Sequence, residues 1–393
     1  MYLDHSATTP VDKAVLKAML PYFSDKYGNA SSLHAFGQIA AKAVNQAREN
    51  IAKLLNCGIE EVIFTSGATE ADNLAVFGLV NALRKNNNDK LHIITSAIEH
   101  PAVLEPLKIL AGQGVEVTYL PVGKSGLVDL EIFKKSIKDN TVLVSIMYVN
   151  SEIGIIEPIR EIGEVIEKIN AERAGQGGKK RIYFHTDAVQ ALNFLDCDTK
   201  KLHLDLLSFS GHKIYGPKGI GVLFVKSGTP IQGLQLGGHH EKNLRSGTLN
   251  VPGIVGLAEA LRTCSRDREK NNKKILKLRN NFVAAVKKRI KNVRVNTDLK
   301  KSTPSLASIS FVGAEGESIL IALDLSGVAV STGSACASAS LKASPVLLAI
   351  GIKEETCHST IRFSFGKNNT EAEVKKVLKI LPPIIERLRK MAP

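Results

Sequence analysis

From Glu61 to Val225 the chain alternates short β-rich runs with longer amphipathic stretches, and this alternation narrows the folds open to it. The runs VIFT (62–65), HIIT (92–95), VEVTYL (115–120), TVLVSIM (141–147), RIYFHTD (181–187), DLLSFS (205–210) and GVLFV (221–225) read as strands. Several are apolar almost throughout, as strands are when both faces of a sheet are covered. Between them, 69–86, 101–112 and 158–170 have helical spacing. Such alternation predicts an α/β fold with a mostly parallel sheet under two layers of helices. After Pro252 the pattern turns to long basic helices, a few strands near 306–312 and 361–365, and a last helix from about 371. The expected division is a large α/β domain over 13–260 and a smaller α+β domain from 1–12 and 261–393.

Composition removes several function classes. With 44% hydrophobic and 23% charged residues, the chain has ample apolar material for a core, which excludes disorder as a global description. No apolar run approaches the ~18 residues of a membrane span. The start, MYLDHSATTP, lacks the basic and apolar blocks of a signal peptide, so a cytoplasmic protein without a membrane partner is expected. Five cysteines, odd in number and never spaced as CxxC, support neither a disulfide framework nor a metal site. They leave the question of one reactive thiol.

The net charge of +14 is uneven: 15 basic and three acidic residues fall between Arg262 and Lys301. Ile275, Leu278, Phe282, Val286 and Ile290 recur there at helical spacing. A long helix with a solvated basic face is the plainer reading, and a docking surface for RNA or an acidic protein is the other. Phe282 falls on the apolar side, which leaves no aromatic for base stacking, so direct nucleic-acid binding is not expected.

The chemistry-bearing residues sit at strand ends, where open α/β sheets bind ligands. After VIFT comes SGATE (66–70), small residues leading into a helix expected over Asn73–Leu83. This is either a phosphate cradle or an ordinary capped turn, and it is not a P-loop. RIYFHT runs into Asp187 and Gln190, and a carboxylate ending a buried strand needs a cation, structural or functional. DLLSFS runs into GHKIYGPKG (211–219), whose Lys213 is framed by glycines in a position that can lower a lysine pKa enough for imine formation. Cradle, counter-charge and lysine, in that order, suit pyridoxal phosphate.

Seven motifs, SGATE, EH (99–100), HTDAVQ (185–190), SFSGHKIYGPKG (208–219), RSGT (245–248), STGSACASAS (331–340) and HSTIRF (358–363), together resemble the class V aminotransferase superfamily. The resemblance is most specific to cysteine desulfurases of the NifS/IscS type, and it covers almost the whole chain in one order. It implies the type I fold of pyridoxal phosphate-dependent transferases. It also implies an enzyme that takes sulfur from L-cysteine, gives L-alanine and carries a persulfide on Cys336. By the same resemblance Lys213 holds the cofactor and moves protons, Asp187 keeps the ring nitrogen protonated, and His100 stacks on the ring and exchanges protons. Gln190 bonds the phenolic oxygen, Ala68, Thr69, Ser210 and His212 hold the phosphate, and Arg362 forks onto the substrate carboxylate. Thr248 reaches the neighbouring subunit's phosphate, which implies a homodimer. Cys336 lies among small residues in a segment without helix or strand signal, as an accessible nucleophile does. The implied partner is a sulfur-acceptor protein of iron–sulfur cluster assembly or tRNA thiolation.

The chain departs from the family pattern in places. Ser151 stands where NNEIG usually has its second Asn, Ala30 replaces a common proline, and the loop over 170–181 is longer. Selenocysteine lyase, another class V reaction, and a basic binding module on a degenerate fold are the alternatives at this point. The intact set Lys213, Asp187, His100 and Cys336 argues against the last.

Overall fold

A computed structural model describes residues 1–84, 90–174, 179–332 and 342–391. The seven expected strands are β1 (Val62–Thr65), β2 (His92–Ser96), β3 (Glu116–Leu120), β4 (Thr141–Ser145), β5 (Tyr183–Asp187), β6 (Leu206–Ser210) and β7 (Gly221–Val225). They form one sheet in the order β1-β7-β6-β5-β4-β2-β3. Pairing is parallel from β3 through β6, as the alternation predicts. β7 is antiparallel to both β6 and β1. The ten residues between β6 and β7 are too few for a crossover helix, so the chain can only turn back.

Alternate residues serve opposite faces. Phe64, Ile94, Val144, Leu207 and Val222 enter one core, whereas Ile63, Ile93, Leu143, Leu206 and Leu223 enter the other. That double burial is why the strands read as continuous apolar runs. One face lies beneath the helix Ala35–Leu55, which buries Ala40, Val44, Ala47 and Ile51 one turn apart. The helix after SGATE begins earlier than expected, at Ala68. It runs as Ala68–Asn73, widens into a π-helical segment over Leu74–Gly78, and ends as Leu79–Leu83.

A second sheet has three antiparallel strands, β8 (Val293–Val295), β9 (Leu306–Phe311) and β10 (Thr360–Ser364), in the order β10-β9-β8. Its core gathers Phe282, Phe311, Phe363 and Phe365 with Leu3 from the start of the chain. One helix, Val251–Arg289, joins the two cores without a break. Its residues from Val251 to Cys264 pack with the large sheet, and Ile275 to Val286 pack with the small one. The first residues return to the small sheet, where Tyr2 pairs with Ala329 and Asp4 with Ser364. Among the described residues, no helix is long and apolar enough to cross a membrane.

Candidate active site

β1, β2, β4, β5 and β6 all end on one edge of the large sheet. β5 ends in Asp187 and β6 in Ser210, and one helical turn, Gly211–Lys213, follows Ser210 directly. Ser210 pairs with Gly221, and a Cβ on Gly221 would lie 2.7 Å from the backbone of Gly67. This approach, open only to glycine, sets the helix start at Ala68 and Thr69 beside the end of β6. A Cβ on Gly67 itself would meet nothing within 4 Å, so the space beside the helix start is open.

The opening residues of the chain close the cleft. Lys213 Nζ donates to the carbonyls of Ser6 at 2.5 Å and Ala7 at 2.8 Å, and Gln190 Nε2 donates to Ser6 at 2.9 Å. His212 Nδ1 lies 3.1 Å from Thr8 Oγ1, and the Thr9 hydroxyl donates to the His212 carbonyl at 2.8 Å. Burial, then the neighbouring charges of Lys213 and Lys218, push His212 down to about 4, so at neutral pH it is an uncharged imidazole.

Three titratable groups meet in the cleft. Burial pushes the Asp187 carboxyl up, and the charges of His100 and Lys213 pull it back. His100 responds in the opposite sense: burial pushes it down, Asp187 supports its charged form and Lys213 opposes it. The His100 ring is held by Nδ1, which accepts from the Ala102 amide at 3.1 Å. Beneath Asp187, on the same strand face, His185 spans Ser145 Oγ at 2.8 Å and Ser208 Oγ at 2.9 Å. Full burial pushes His185 down to about 3, so this layer is neutral.

Arg362 lies on β10, 4% exposed, at the far side of the cleft. Its Nη1 donates to the Ser151 carbonyl and its Nη2 meets Asp4 Oδ1, each at 3.0 Å. Next to Ser151, the half-buried Glu152 accepts the Ser344 hydroxyl at 2.6 Å, and loss of solvent around the carboxyl raises its pKa. Cys336 lies outside the described residues. On either side of 333–341, Ser331 exchanges backbone hydrogen bonds with Arg362, and Ser344 bonds Glu152. Of the described cysteines, burial pushes Cys57, Cys197 and Cys264 up to about 12 and raises Cys357 as well. None of these four is poised as a thiolate. Thr248 is exposed and follows Arg245, which pairs with Glu70 at 2.9 Å on the helix that starts at Ala68.

A family model described as aminotransferase class-V matches residues 1–377. The chain belongs to that family. Proteins named cysteine desulfurase IscS from Clostridium botulinum and Methanosarcina thermophila are 46% and 45% identical to it, each across 100% of this chain and 96% and 94% of their own. A solved NifS-like protein superposes with a TM-score of 0.91 at 36% identity over 99% of this chain and 100% of its own. A structure titled "SspA in complex with cysteine" superposes with a TM-score of 0.80 at 34% identity, covering 94% of this chain and 99% of that one.

Class-V aminotransferases of the cysteine desulfurase kind depend on pyridoxal phosphate, and the cleft of this family member fits that group. The buried Asp187 carboxyl lies close enough to the Lys213 amine to feel its charge, and the space beside Gly67 at the helix start is open. The segment Asp4–Thr9 escaped sequence reasoning. Its run of small polar residues ending at Pro10 was the available signal, because such a run suits backbone carbonyls lining a cleft better than it suits a core.

Proposed function

We propose that this class-V aminotransferase is a cysteine desulfurase that converts L-cysteine to L-alanine and leaves a persulfide on Cys336. The sulfur then passes to an acceptor protein of iron–sulfur cluster assembly or tRNA thiolation. The observation that carries the reading is the meeting of Lys213, Asp187 and His100 in one buried cleft. Bound pyridoxal phosphate supplies the electron sink that loosens bonds at the substrate's α and β carbons.

The remaining work falls to side chains. Lys213 would give up its hydrogen bonds to Ser6 and Ala7 to hold the cofactor. Asp187 would keep the ring nitrogen protonated, and Gln190 would bond the phenolic oxygen. The amides at Ala68 and Thr69, with Ser210 and His212, take the phosphate, where a neutral His212 donates a hydrogen bond without adding charge. Arg362 holds the substrate carboxylate, and His100 Nε2 exchanges protons on the substrate. The Cys336 thiolate attacks the substrate's sulfur: an S–S bond forms, the C–S bond breaks, and the electron pair left on carbon takes a proton to give alanine.

Two further features support the wider reading. Leu20, Phe23, Tyr27, Phe36 and Leu236 are large apolar residues more than half exposed, an apolar surface of the kind a second copy covers. Ser31 Oγ lies 3.2 Å from His240 Nε2, which sets this patch beside the loop that leads to Thr248, in keeping with a homodimer in which Thr248 would reach the partner's phosphate site. The four described cysteines are all free, which suits a reducing cytoplasm.

The deciding experiment measures alanine and persulfide formed from L-cysteine by the wild-type protein and by Cys336→Ser. The variant should keep the visible absorption of the loaded enzyme and form alanine only at background rate. Sustained sulfur release by the variant refutes the role of Cys336.

A further inference from the structure

Arg362 is 4% exposed, and among the described residues its ion pair is with Asp4. Asp4 meets Nη2 at 3.0 Å from a strand position fixed on both sides: Ser364 donates its amide to Leu3, and His5 donates to Ser364. The Asp4 side chain is itself only 17% exposed. Glu152 also faces the guanidinium, but burial pushes its carboxyl towards the neutral form and its Oε2 accepts the Ser344 hydroxyl. Tyr2 is nearby as a neutral phenol whose hydroxyl donates to the Thr8 carbonyl. Lys213, on the other side of the same strap, is held through Ser6 and Ala7.

We propose that Asp4 is a specificity-determining residue that cancels the charge of Arg362, so that the carboxylate subsite admits a net-neutral amino acid zwitterion and rejects simple anions. The proposal rests on the reading of Arg362 as the residue that takes the substrate carboxylate. An uncompensated buried guanidinium draws in any small anion, because a buried charge without a partner is costly. With Asp4 in place the guanidinium keeps its donor geometry, but the pocket no longer gains a full charge pair when an anion enters. A zwitterion carries its own cation and is penalised less. Asp4 is therefore argued to act on selectivity through charge and not through shape.

The test is steady-state alanine formation by the loaded holoenzyme with inorganic sulfate as the competing anion at fixed ionic strength. Asp4→Asn keeps size and hydrogen-bonding capacity while removing the charge, and it should lower the competitive Ki for sulfate about ten-fold or more relative to wild type. Asp4→Ser, a smaller neutral acceptor, should show the same gain, and Asp4→Glu should stay within about two-fold of wild type. The double variant Asp4→Asn, Arg362→Ala should lose the gained sulfate affinity, which assigns it to this guanidinium. A sulfate Ki in Asp4→Asn and Asp4→Ser equal to the wild-type value overturns the proposal. The underlying reading fails separately, and is recognised by Arg362→Ala leaving the KM for L-cysteine unchanged.

Discussion

The Lys213 amine and the Gln190 amide converge on one acceptor, the Ser6 carbonyl, at 2.5 and 2.9 Å. The two side chains arrive from different strand ends, so a backbone oxygen from the first turn of the chain aligns groups that are distant in sequence. If Lys213 takes the cofactor, as proposed above, loading would draw it from this carbonyl and leave Gln190 in place. Lys213→Ala should abolish the visible absorption band and reduce alanine formation by about a thousand-fold or more. Gln190→Ala should retain the band but shift its maximum. Spectra of the two purified variants test both statements, and an unshifted band in Gln190→Ala removes Gln190 from contact with the ring.

The close approach of Gly221 to Gly67 makes a second prediction. An alanine Cβ at 221 would sit 2.7 Å from both the Gly67 backbone and the Phe209 carbonyl oxygen, and neither backbone can give way cheaply. Overpacking of this kind costs about 1–3 kcal/mol and displaces the helix start beside that space. Gly221→Ala should therefore lower both the melting temperature and the retained pyridoxal phosphate. Normal cofactor content in the variant, measured after dialysis, shows that the space beside Gly67 is not the phosphate site.

Ser151 offers Arg362 only its backbone carbonyl, at a position where the family pattern usually has an asparagine side chain. Restoring the amide adds a donor and an acceptor next to the residue proposed to take the substrate carboxylate. One added hydrogen bond contributes about 1 kcal/mol, so Ser151→Asn should lower the KM for L-cysteine about five-fold with a smaller change in kcat. Equal KM values in the two proteins show that the serine position does not contact substrate.

Glu157 gives a pH prediction whose sign follows from its burial. Its side chain accepts the Val128 amide at 2.9 Å, and burial raises its carboxyl to about 8. In the unfolded chain the group titrates near 4.5. Between these values the folded protein holds a proton that the unfolded chain has released, so unfolding free energy falls as pH rises, by about 1.4 kcal/mol per unit. The contribution is complete below about pH 4.5 and is lost on reaching about pH 8. Glu157→Gln keeps a neutral side chain at every pH. Its melting temperature should decline less steeply than the wild-type value from pH 6 to about 8, and parallel profiles would show that Glu157 is ionised in the native protein.

Most strands of the large sheet were legible because they are buried on both faces and rich in apolar residues, as Ile63 and Phe64 are on opposite sides of β1; β3, at the sheet edge, is the exception. The sense of β7 was not legible from periodicity; it depends on the shortness of the β6–β7 connection. The helix Ala35–Leu55 was missed because Gly37, Ala40, Ala47 and Ala52 fill much of its buried stripe, and such small residues carry little hydrophobic contrast. At the site, Asp187 and Lys213 stood out because a charged residue at the end of an apolar strand contrasts with its neighbours, whereas His100, four residues beyond β2, was read only through the family resemblance. Asp4 and Ser6 could not be found this way. Ser6 acts through its carbonyl, which has no side-chain signature, and Asp4 acts through Arg362, from which it is separated by almost the whole chain.

The last prediction concerns how two subunits share a site. Thr248 is exposed, close in sequence to the Arg245–Glu70 ion pair and beside the apolar patch. If each subunit lends Thr248 to its neighbour, a Thr248→Ala chain has an intact lysine but lacks the borrowed hydroxyl. A Lys213→Ala chain has the opposite defect. In a mixed dimer one site combines both defects, and the other combines Lys213 from one chain with Thr248 from its partner and is complete. Refolding or co-expressing the two inactive or weakened variants together should therefore restore alanine formation towards half the wild-type activity per mixed dimer. Thr248 acting within its own chain predicts no such recovery, since every site in the mixture would then carry one of the two lesions.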